Sequence, residues 1–116
     1  MDAGERDRQI LLRLQQVMDY AYEHSEFYRR KWEDAGIHPE HIRSLEDFER
    51  VPVVTKQELR AAQERVQPFG DYLCIPDSEV HHIHGTSGTT GRPTAFAIGR
   101  DDWQTIAENQ ARILWA

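Results

Sequence analysis

Between His84 and Thr94 the chain sets three glycines (Gly85, Gly88, Gly91) among four hydroxyl residues (Thr86, Ser87, Thr89, Thr90), then turns at Pro93. Glycine lets a ligand approach the main chain closely, N–H groups can converge on an anion, and hydroxyls add further donors. Such a run predicts a donor-rich loop suited to phosphate. Two familiar phosphate loops are excluded by spacing. A Walker A loop closes on glycine, lysine and serine or threonine, whereas Gly91 is followed by Arg92 and Pro93. The dinucleotide fingerprint opens a helix and sets its first two glycines two apart, whereas these stand three apart and run into proline.

The flanks say what the loop joins. Thr94 to Ile98 favours extended structure, since threonine, phenylalanine and isoleucine fit a pleated surface. Val80 to His84 also reads as a short strand. The loop therefore links two strands instead of capping a helix. It would hold phosphate with main-chain donors and hydroxyls, without a helix dipole.

Upstream the pattern is helical. Ile10, Leu11, Leu14, Val17, Met18 and Ala21 recur at helical spacing and mark an amphipathic helix from about Glu5 to Tyr22. Ser25 is placed to cap a second helix through Ala35, ended by Gly36. Ser44 opens a short turn carrying Leu45 and Phe48. Thr55 and Glu58 have the spacing of a capping box, which predicts a helix to about Ala62 or Gln63. Residues 67–79, with Pro68, Gly70 and Pro76, read as irregular chain. Beyond the strands, Asp101 and Asp102 favour a helix start, and Trp103, Ile106, Ala107, Gln110, Ile113 and Leu114 mark its apolar face. That face expects a cover, and two short strands alone are marginal in water. We therefore expect a chain cut from a larger core, marginally stable and self-associating when isolated.

Composition narrows the function classes. Among 116 residues, 20 acidic against 14 basic side chains give a formal charge of −6, which disfavours nucleic acid as a partner. No apolar run is long enough to cross a membrane, and the charged amino terminus does not resemble a signal peptide. Cys74 is the single cysteine, so no internal disulfide can form; a reducing cytoplasm suits the chain.

Other clusters carry bland readings better than sharp ones. His81, His82 and His84 lack a further ligand at an obvious position, so no metal site is assigned. His84, immediately ahead of the loop, is the candidate neighbour of an active site. Tyr20, Tyr22, Phe27, Tyr28 and Trp32 read as core between packed helices. Glu46, Asp47 and Glu49 read as a solvated, capped turn, and Cys74 as a small apolar filler.

Thr86, Ser87, Gly88, Thr89, Thr90, Gly91, Arg92, Pro93 and Thr94, in that order, resemble the Ser/Thr/Gly-rich loop of the adenylate-forming superfamily. The stretches Tyr20–Arg30, Ala35–Ile37 and Ser44–Lys56 resemble the amino-terminal region of its phenylacetate–CoA ligase branch. The likeness runs from about Leu11 to the end. Arg92 stands where the superfamily commonly has lysine, which keeps the charge but makes it a planar fork. The resemblance implies an α/β fold (α+β for the isolated piece). In it a helical amino-terminal subdomain (1–66) and a connection (67–79) precede the first strand–loop–strand–helix of the core (80–116, phosphate loop 85–93). It implies an ATP-dependent, AMP-forming carboxylate–CoA ligase acting on an aryl or arylacetic acid, with ATP and Mg²⁺ required and CoA as co-substrate. Thr86, Ser87, Gly88, Thr89, Thr90, Gly91 and Arg92 would bind the ATP phosphates. No catalytic residue is assigned within this chain, which alone is expected to be inactive. The alternative is a non-catalytic helical interaction or dimerisation module, or a decayed fragment, retaining an idle loop; a homodimer is compatible with both.

Overall fold

A computed structural model describes residues 2–86 and 94–115. Five α-helices and two strands follow one another in it: α1 (Ala3–His24), α2 (Glu26–Asp34), α3 (Leu45–Phe48), α4 (Lys56–Arg65), β1 (Val80–Gly85), β2 (Ala95–Gly99) and α5 (Arg100–Trp115). Single 3₁₀ turns sit at Pro39–His41 and Asp77–Glu79. The expected helical region comes first and the strand–strand–helix portion follows it, with a two-stranded antiparallel sheet among the described residues. No helix among the described residues is long and apolar enough to cross a membrane.

Caps set most of the helix ends. α1 starts two residues ahead of the expected position because Asp2 Oδ1 accepts the Glu5 amide at 2.7 Å. Ser25 Oγ accepts the Tyr28 amide at 3.3 Å and opens α2. At its other end Gly36 has φ +70°. There the Ile37 amide donates to Trp32 O and the Gly36 amide to Glu33 O, the two bonds of a Schellman turn. The Thr55–Glu58 capping box forms as the spacing predicts, with Thr55 N donating to Glu58 Oε2 at 2.7 Å and Glu58 N to Thr55 Oγ1 at 3.2 Å.

The core lies where α1 meets α2 and the chain that follows. Met18, Ala21, Trp32 and Ile42 are buried together, with Leu11, Tyr22, Tyr28, Ile37, Val51 and Cys74 packed against them. The tyrosine and tryptophan rings of this group stack and tilt on one another, Tyr22 lying nearly parallel to Trp32. Tyr20 departs from the expected core role. It is exposed, and its hydroxyl donates to Cys74 O at 3.4 Å.

Asp71 ties α2 to α4. Its carbonyl accepts the Phe27 amide at 3.0 Å, and its carboxylate accepts from Arg30 at 2.9 Å and Arg65 at 3.2 Å. Gly70 makes that approach feasible. It has φ +88°, and a Cβ there would lie 3.2 Å from the α4 backbone at Ala62 and Gln63. No other residue type meets both conditions without strain.

β1 and β2 pair antiparallel, with His82 opposite Ile98, Ile83 opposite Ala97, His84 opposite Phe96 and Gly85 opposite Ala95; the register slips between Val80 and His82. α5 follows β2 directly and folds back over the pair, where His82 stacks on Trp103 with centroids 3.6 Å apart and planes 10° apart.

Candidate functional site

The strand pair converges on Thr86 and Thr94, the two ends of the glycine- and hydroxyl-rich run. Thr86 N donates to Thr94 O, and Thr94 N donates to Thr86 Oγ1, both at 3.0 Å. This reciprocal pair closes the neck of the loop. Ser87, Gly88, Thr89, Thr90, Gly91 and Arg92 lie outside the described residues. Of the expected phosphate ligands, Thr86 alone is therefore placed, and it is half-buried at the end of β1.

α4 anchors the neck from behind. Arg60 Nε donates to Thr94 Oγ1 at 3.0 Å, and Thr94 is wholly buried. Gln63 Nε2 donates to Ala95 O at 2.6 Å. The Tyr72 hydroxyl donates to the same carbonyl at 3.3 Å and accepts the Ala97 amide at 3.5 Å. Sequence reasoning missed Arg60, Gln63 and Tyr72. Their partners lie 23 to 34 residues away, beyond the reach of local spacing.

His84 is exposed two residues ahead of Thr86, and its ring centroid lies 5.6 Å from that of Trp103. His82 and His84 thus share one face of β1, as alternation requires. His81 falls at the register slip, so its ring meets His82, their Nδ1 atoms 2.5 Å apart. Partial burial, then the neighbouring His81 and His84, push the His82 pKa below its usual value. That shift favours the uncharged ring, which stacks on the Trp103 indole. Among the described residues no group of three or more His, Cys, Asp or Glu is placed to hold a metal ion.

A separate cavity of about 830 Å³ opens between α1, α2 and the strand pair, lined in part by Tyr20, Tyr28, Tyr72, Cys74, Glu79 and Asp102. Burial, then the Asp102 charge, push the Cys74 thiol up, so it remains a protonated, weak nucleophile. Asp47 accepts from the Arg43 amide at 2.9 Å and from Arg50 at 2.7 Å. That fixes it as a surface cap, not half of a carboxylate pair.

No family model matches the chain. Over 104 residues, 90% of its length, it is 40% identical to a phenylacetate-coenzyme A ligase of Thermus thermophilus. The corresponding enzyme of Escherichia coli is also 40% identical over 104 residues. Among solved structures, a 2-hydroxyisobutyryl-CoA ligase in complex with 2-HIB-AMP and CoA, in the thioesterification state, superposes on 99% of the chain with a TM-score of 0.92 and 65% identity. An open conformation of the same ligase with the same ligands gives 0.91 and 61%. The chain spans 22% of the Thermus enzyme and 24% of the solved one, about a quarter of each.

Proposed function

We propose, from a chain that belongs by sequence and fold to the acyl–coenzyme A ligases over the quarter of them it spans, that it supplies the ATP phosphate-binding segment of an AMP-forming carboxylate–CoA ligase. The observation that carries this is the Thr86–Arg92 run, set on an antiparallel pair whose neck is closed by the Thr86–Thr94 bonds.

In the reaction a carboxylate oxygen attacks the ATP α-phosphorus and pyrophosphate departs, leaving an acyl-adenylate. The CoA thiol then attacks the acyl carbon, its proton passes to solvent or a base, and AMP leaves. The loop's work is to hold the β- and γ-phosphates so that the α-phosphorus faces the carboxylate in line. Main-chain N–H groups around Gly88 and Gly91, with the hydroxyls of Thr86, Ser87, Thr89 and Thr90, stabilise charge growing on the departing pyrophosphate. Arg92 adds a positive charge. The described residues offer Mg²⁺ no ligand cluster; bound with ATP, it would help neutralise the phosphates.

The acid we assign is a short 2-hydroxy carboxylate, because identity to the 2-hydroxyisobutyryl-CoA ligase reaches 65% against 40% for the phenylacetate enzymes. Those phenylacetate enzymes favour an arylacetate as the second reading. The test is acid-dependent ATP–pyrophosphate exchange by the gene product expressed from its native reading frame. Exchange driven by 2-hydroxyisobutyrate well above phenylacetate supports the assignment; the reverse order installs the second reading. No exchange with any carboxylate removes the ligase function.

A further inference from the structure

We infer that Arg60 is a positioning residue for the phosphate loop, acting through Thr94 and Thr86; the inference rests on the phosphate-binding reading above. Two hydrogen bonds lead from α4 to Thr86 at the neck of the loop, and a third returns. Arg60 Nε donates to the buried Thr94 hydroxyl at 3.0 Å, and the Thr94 amide donates to the Thr86 hydroxyl at 3.0 Å. The Thr86 amide returns a bond to Thr94 O at 3.0 Å.

The chemistry of these bonds fixes a direction. A hydroxyl carries one proton and two lone pairs. The Thr94 amide occupies a lone pair of Thr86 Oγ1, which leaves the Thr86 proton to be donated away from the neck. An anionic phosphate oxygen is the strongest acceptor that would enter there. Arg60 restrains the Thr94 side chain, and through it the residue whose amide meets Thr86.

β2 does not depend on Arg60 for its place. Gln63 and Tyr72 bind the Ala95 carbonyl, and Tyr72 also accepts the Ala97 amide. Loss of Arg60 should therefore disturb the neck more than the fold, which separates a positioning role from a merely structural one.

Two measurements test this. In ATP–pyrophosphate exchange by the gene product, Arg60→Ala should raise the KM for ATP roughly tenfold, the scale of a lost hydrogen bond to a charged group. Arg60→Lys should recover most of that loss. Thr94→Val should resemble Arg60→Ala, and the double variant should be little worse than either, as expected of residues in one network. Arg50→Ala, which loses only an exposed ion pair to Asp47, serves as the control. In the 116-residue chain itself, hydrogen exchange should show Arg60→Ala lowering protection of the Thr86 and Thr94 amides while those of α1 and α2 keep theirs. An unchanged KM with unchanged neck protection overturns the inference. So does a uniform loss of protection through all helices that Arg60→Lys does not restore. Absence of exchange in the unmodified gene product would defeat the ligase reading alone, and the hydrogen-exchange arm would still decide whether Arg60 holds the neck.

Discussion

Glu58 does two jobs at once. Its carboxylate closes the α4 capping box on the Thr55 amide and pairs with the Lys31 ammonium of α2. The Lys31 hydrogen bond and then the Thr55 amide draw its pKa down to about 2, from an ordinary 4.5. A carboxylate depressed on folding adds stability that is complete above its unfolded pKa and is lost as pH falls toward the folded one. We expect an acid-titration component between about pH 4.5 and 2, tying α4 to α2. Glu58→Gln should flatten it in urea melts taken at successive pH values; an identical pH profile in the variant would show that another group carries the transition. The capping residues Ser25, Thr55 and Gly36 were legible in the sequence because each cap closes within a few residues. Arg60, Gln63 and Tyr72 were not, because hydrogen bonds across 23 to 34 residues leave no local pattern. Tyr20 was misjudged for a related reason. Helical spacing places it near the core face, but its hydroxyl finds the Cys74 carbonyl at the cavity edge instead.

At the scale of elements, the two strands and five helices follow from turn formers and apolar period, and the boundaries shift by one to three residues. The register of β1 against β2 was not readable. The slip at His81 comes from pairing, which no single strand's pattern encodes. α5 is held to the sheet at its first turns, through Trp103 on His82, while its far end is bare. Ile113, Leu114 and Trp115 are 68%, 85% and 94% exposed, and no described residue of the helix is buried. Apolar side chains this exposed favour association. Sedimentation of the 116-residue chain should show weight-average mass rising with concentration, and Leu114→Lys with Trp115→Glu should suppress the rise. A monomer at every concentration would show that these side chains do not drive self-association.

At the scale of the molecule, α4 and Tyr72 hold β2 and the neck through Arg60, Gln63 and the tyrosine hydroxyl, and α5 covers the strand pair through Trp103. The likeness to one ligase is equally close in its thioesterification and open states, with TM-scores of 0.92 and 0.91. The glycine and hydroxyl spacing is the signal the sequence offers for this loop; of the phosphate ligands proposed from it, only Thr86 is placed, and residues 87–92 lie outside the described structure. The most direct test is the rate of carboxylate-dependent ATP–pyrophosphate exchange by the gene product carrying Thr89→Val, Thr90→Val or Gly91→Val. We predict a fall in all three, roughly tenfold or more for each lost hydroxyl bond to a charged phosphate, and the largest for Gly91→Val, where a side chain blocks close approach. Exchange at the unmodified rate in all three variants would contradict the assignment of this loop to the ATP phosphates.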